Sequence, residues 1–79
     1  MDWQSRIVTD PDVLLGKPTI KGSRIAVELV LDRLADGWSI ETLLEAYPRL
    51  SKEDVQAALA YSAERVREER YLAIGTSAA

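Results

Sequence analysis

Neither cysteine nor histidine occurs among the 79 residues. Without cysteine there is no disulfide to staple the fold and no thiolate to hold zinc. Without histidine the commonest metal ligand and general base is missing as well. Together these absences point away from an enzyme and from a resident cofactor, and a cysteine-free chain suits a reducing cytoplasm. The opening Met1-Asp2-Trp3-Gln4-Ser5 lacks the basic and apolar blocks of a secretory signal. Glu28, Asp32 and Arg33 interrupt the most hydrophobic stretch, so no apolar run reaches the roughly 18 residues that a bilayer-spanning helix needs. The expectation is a soluble, cytoplasmic protein with no membrane partner. This length supports one domain, and so short a chain buries only about 60% of its unfolded surface. Pairing into a homodimer would supplement that small core.

Acidic residues are absent from one stretch in a chain whose formal net charge is -3. Between Leu14 and Val27 the sequence carries Lys17, Lys21 and Arg24 with no carboxylate among them, a local departure that invites a phosphate or an acidic partner. Gly16 and Gly22 tolerate positive φ, and Pro18 pushes Lys17 into the extended region, so the segment should turn, extend and turn again. The competing reading is a solvated turn with lysines on an exposed strand edge, where they discourage aggregation.

The rest of the chain reads as a short β-ribbon followed by helices. Trp3 to Thr9 favours a strand that Asp10-Pro11-Asp12 stops, and Val13, Leu14 and Leu15 form an apolar patch. Thr19 to Ile25 is the second extended candidate, with Gly22 as a turn or bulge inside it. From about Ile25, the set Val27, Val30, Leu31 and Leu34 follows helical spacing, and Gly37 is the natural stop. Trp38-Ser39 then reads as a hydrophobic staple and N-cap for a short helix that starts at Ile40 and ends before Pro48. Leu50 and Ser51 repeat the device, with Asp54 three residues beyond the cap and Leu50 set to staple to Val55. The third helix should bury Val55, Ala58, Leu59, Ser62 and Val66, and turn Lys52, Glu53, Gln56, Ala57 and Ala60 outward. The fold class expected is therefore mainly α, a short N-terminal β-ribbon followed by a three-helix unit of helix-turn-helix or homeodomain type. Residues 1–71 form the single trihelical domain and residues 72–79 a flexible tail.

In such a unit the third helix is the candidate recognition helix. Gln56 suits an adenine and Lys52 a phosphate or guanine, while Arg49 just ahead of the helix suits the backbone. With Lys17, Lys21 and Arg24 they make the candidate DNA-binding set. Against it stand the acidic balance, Glu53 on the same face and few cations on the helix itself, which favour a protein-interaction module without a DNA role. The segment from Arg65 to Ile74 is the candidate partner-binding element, through Arg65, Arg67, Arg70, Tyr71, Leu72 and Ile74. Its alternative is that Tyr71 and Leu72 fold back on Trp3. Glu28 and Asp32 with Asp10 or Asp12 read better as solvated surface than as a cation site, and Ser23 and Ser39 have no base to activate them.

The blocks Asp10-Pro11, Leu15-Gly16-Lys17-Pro18, Ile20-Lys21-Gly22-Ser23-Arg24-Ile25, Ala35-Asp36-Gly37, Tyr47-Pro48, Leu50 and Ala57-Ala58-Leu59 together resemble the prokaryotic family known as domain of unknown function 433. The resemblance runs from about residue 6 to residue 66. Where that family often has proline after the Arg-Ile pair, this chain has Ala26. The resemblance implies a helix-turn-helix-like fold and an antitoxin. Its partner would be a PIN-like nuclease toxin, and it would bind operator DNA as a dimer.

Overall fold

Ser51 and Asp54 start the longest element by capping one another. The Asp54 amide donates to the Ser51 hydroxyl at 3.1 Å, and the Ser51 amide donates to the Asp54 carboxylate at 3.0 Å. This reciprocal box satisfies two of the donors that a helix start leaves open. In the computed structural model of the chain, the backbone of residues 1–77 and the side chains of residues 1–68 are described. The fold is mainly helical. A two-stranded antiparallel sheet, β1 (Ile7–Val8) and β2 (Thr19–Ile20), precedes α1 (Val27–Ala35), α2 (Ile40–Ala46) and α3 (Lys52–Ser77). Ile7 pairs with Ile20 and Val8 with Thr19.

The N-terminal segment is shorter in extended structure than its β-branched residues suggest. Trp3–Ser5 is a 3-10 turn capped by the Asp2 carboxylate on the Gln4 amide, and only Ile7–Val8 is strand. Tertiary packing decides the difference, because the turn sets the Trp3 ring edge-on to Tyr61 with centroids 4.8 Å apart. The Trp3 indole N–H also donates to Glu64. These two contacts give Trp3 partners on α3 well before Tyr71. The second strand is likewise cut to Thr19–Ile20. There the Ser23 hydroxyl donates to the Ile20 carbonyl and accepts from the Ile25 amide, closing a turn in which Gly22 sits at φ 80°. Ile25 stays outside α1 because its carbonyl accepts from the Ile20 amide, and Ala26 bridges Thr19.

The caps foreseen for α2 and α3 are present. Ser39 accepts from the Thr42 amide at 3.1 Å, and Leu43, Leu50 and Val55 are buried behind the two caps. Ile7, Ile20, Val27, Val30, Leu43, Val55, Ala57 and Ala58 are among the residues that make one core, with Trp3, Trp38 and Tyr61 packed against it. The buried face of α3 is rotated from the expected one. Ala57, expected outward, is fully buried, whereas Leu59 and Val66, expected inward, are 44% and 59% exposed. The N-terminal segment packs on α3 as α1 and α2 do, with Trp3 against Tyr61, so α3 is covered by more than the helices alone. The small side chains of Ala57 and Ala58 are fully buried.

Arg6 ties the ribbon to the start of α3. Its guanidinium meets the Asp54 carboxylate at 3.0 Å, so Asp54 caps the helix and closes an ion pair at once. The backbone of α3 continues as one helix to Ser77, through residues expected to begin a tail. Among the described residues no helix is long and apolar enough to cross a membrane.

Candidate nucleic-acid interface

The Ser23-closed turn carries Lys21 and Arg24 on its exposed sides. Gly22 occupies the turn in the left-handed region, where a glycine avoids the Cβ penalty. Its carbonyl is thereby presented outward and accepts from the Arg49 guanidinium at 3.3 Å. Arg49 sits in the α2–α3 connection, three residues before Lys52 opens α3. This one hydrogen bond joins segments 27 residues apart and brings Arg49 to the turn that carries Lys21 and Arg24, with Lys52 three residues further along the chain. Gln56 follows Lys52 by four residues on the exposed side of α3, one helical turn further along the same face.

Arg24 and Arg49 border a shallow groove of about 630 Å³ whose floor includes Val8, Val13 and Ile25. Asp10 stands at its edge, with its carboxylate engaged by the Asp12 amide. Every buried side-chain nitrogen and oxygen among the described residues has a hydrogen-bond partner. The groove therefore offers exposed cations beside apolar residues and, among the described residues, no buried polar group without a partner. Such an arrangement suits backbone phosphates, which are met by long cationic side chains in water, better than it suits a small molecule held in a polar cage. The N-terminus of α3 is closed by its Ser51–Asp54 box, and Glu53 and Asp54 in its first turn oppose an anion there.

Lys17, the sixth member of the set read from the sequence, is used otherwise. Its ammonium lies 2.6 Å from Glu28 of α1, and it lines the groove between α1 and α3. The hydrogen bond that Lys17 donates to Glu28, and then the Glu28 charge, raise the Lys17 pKa above its ordinary value. A cation held in this way contributes fully at neutral pH and loses its contribution only as pH rises through the raised pKa. Both groups are exposed, so the pair is weak support for the fold.

The partner-binding candidates divide at the limit of the described side chains. Arg65 and Arg67 are exposed on α3, and Arg65 lies 3.6 Å from Glu68 one turn on. The side chains of Arg70, Tyr71, Leu72 and Ile74 lie outside the described residues. Two features escaped the sequence reading. One is the Arg6–Asp54 pair, which spans 48 residues and leaves no local signal. The other is the backbone at Leu14 and Leu15, where two leucines adopt positive φ.

Residues 7–62 match the family profile described as protein of unknown function, DUF433. The chain belongs to that family. A crystal structure of a DUF433 member from Anabaena variabilis ATCC 29413 superposes with a TM-score of 0.76 at 31% identity, covering 89% of this chain and 70% of that one. An uncharacterised protein of Sinorhizobium fredii, y4eO, is 38% identical over 56 residues. That alignment takes in 71% of this chain and a quarter of the length of y4eO (25%). The matched DUF433 region contains all of Lys21, Arg24, Arg49, Lys52 and Gln56, and it ends before Arg65.

Proposed function

We propose that this DUF433 chain is a non-enzymatic antitoxin, a homodimeric helix-turn-helix-like adaptor that binds operator DNA with its cationic end and a PIN-like nuclease toxin with the exposed part of α3. The observation that carries the DNA half is the Arg49 hydrogen bond to the Gly22 carbonyl. It links the basic turn to the segment that leads into the third helix, the helix through which trihelical DNA-binding units make their contacts. Lys21, Arg24, Arg49 and Lys52 would hold phosphates, and Gln56 would face base edges. The toxin half is supported by position. Arg65, Val66 and Arg67 are exposed, lie beyond the family match and are free of duties in the core.

The net charge of -3 and Glu53 favour a second reading, a protein-interaction or dimerisation module with no DNA role. Fluorescence anisotropy with a labelled duplex from upstream of the reading frame, measured across a salt series, separates the two. The antitoxin reading expects log K to fall linearly with log salt, by about 0.9 for each phosphate neutralised, giving a slope of roughly -3 to -4 per bound chain. An upstream duplex that binds no better than an unrelated one, with a flat salt dependence, removes the DNA half. Co-purification with the tagged product of the adjacent reading frame tests the toxin half in the same preparation.

A further inference from the structure

Leu14 and Leu15 have φ of 49° and 59°, and Gly16 follows at 83°, so three successive residues lie in the left-handed region. Each leucine there is strained, because its Cβ crowds the following carbonyl. The loop is nevertheless firmly built. The Val13 amide donates to the Asp10 carbonyl, the Gly16 amide to the Val13 carbonyl and the Lys17 amide to the Leu14 carbonyl. What this strain produces is the display of a side chain. Leu15 is 95% exposed and Leu14 38%, so most of the Leu15 apolar surface serves nothing inside the chain. Strain that the monomer does not use is a reason to look for a partner.

Beside the loop runs an open groove of about 600 Å³ along α1, formed with Ala26, Leu29 and the stem of Arg33. Its rim carries both signs of charge, with Arg33 at one place and Asp32 at another. Among the described residues neither of these is in an ion pair. An all-acidic or all-basic peptide laid in the groove would meet repulsion as well as attraction. A copy of the same surface related by a two-fold axis would not, since Arg33 of each protomer can face Asp32 of the other. The same axis lets the projecting leucine of each protomer enter the groove of its partner, and such reciprocal contact is the property of an isologous interface.

We propose that the Leu14–Leu15 loop and the adjoining face of α1 form the homodimer interface, with Leu15 of each protomer seated against Leu29 of the other. The assignment rests on the dimeric reading above but not on its DNA half, because sedimentation of the free protein reads association without any duplex. Sedimentation equilibrium over a micromolar range should show a dimer for the parent chain. Leu15→Asn should weaken self-association by at least about tenfold. Asparagine tolerates the left-handed conformation, so the same variant should melt no lower than the parent when both are diluted to monomers.

The parent chain has no cysteine, which permits a direct test of proximity. Leu15→Cys and tagged Leu29→Cys chains, mixed under mild oxidation, should form a mixed disulfide well ahead of a Leu15→Cys and Glu45→Cys pair. Monomeric parent chain, or Leu15→Asn protein that associates as tightly as the parent, overturns the proposal. So does a mixed disulfide to position 29 no faster than to position 45. Stable binding of a different protein to Leu15 while the parent remains monomeric would give this surface to another occupant and overturns it equally.

Discussion

Asp54→Ala should lower the unfolding free energy by about 2–3 kcal/mol, a large share of what a domain of this size has. The carboxylate does two things at once. It accepts from the Ser51 amide and it meets the Arg6 guanidinium at 3.0 Å, while the bond from the Asp54 amide to the Ser51 hydroxyl is kept in the variant. Loss of the bond from the Ser51 amide accounts for about 1 kcal/mol. The remainder comes from the charge-assisted bond to Arg6, discounted because the Arg6 side chain is 39% exposed while that of Asp54 is 13% exposed. In thermal melts the loss should appear as a drop of roughly 10–20 °C. A double-mutant cycle with Arg6→Ala in urea should return a coupling energy of at least about 1 kcal/mol. Additive effects would mean that the ribbon and α3 are held together by apolar packing alone. Asp54→Asn should fall between parent and alanine, because the amide oxygen can still accept from Ser51 but carries no charge for Arg6.

The second large effect is on binding. Replacing Lys21, Arg24, Arg49 and Lys52 together by alanine should reduce affinity for the upstream duplex by about two to three orders of magnitude at low salt. The same variant should flatten the log–log salt slope by roughly 3–4. All four side chains are exposed, so circular dichroism and melting should change little, apart from the loss of the single Arg49 bond to the Gly22 carbonyl. Lys17→Ala is the informative control. Its ammonium is already 2.6 Å from Glu28, and its loss should move the slope far less than loss of any one of the four. A quadruple variant with the parent's affinity would reduce these cations to a solubilising turn.

Much of the helical half was legible because its signals are local. Gly37 follows the end of α1, Ser39 and Pro48 bound α2, and Ser51 with Asp54 starts α3, each through chemistry that acts within four residues. The N-terminal third was less legible because its shape is decided by contacts distant in sequence. Trp3 leaves the extended conformation to reach Tyr61 and Glu64, and Arg6 reaches Asp54. The buried face of α3 likewise takes in Ala57 and leaves Leu59 outside, which helical periodicity alone does not specify. At the candidate site, residue type was enough to single out Lys21, Arg24, Arg49 and Lys52. Their convergence depends on a carbonyl at Gly22 and a guanidinium 27 positions later. The left-handed leucines had no sequence signal at all, since leucine is among the residues least expected at positive φ.

The most direct test of the proposed role is a titration of ¹⁵N-labelled protein with the upstream duplex, followed by amide chemical shifts. The phosphate-binding end predicts perturbations at Lys21–Arg24, Arg49, Lys52 and Gln56, growing together and fading as salt is raised. Perturbations confined to the Leu14–Leu15 loop and α1, or none at all at a duplex concentration that saturates anisotropy, would contradict it.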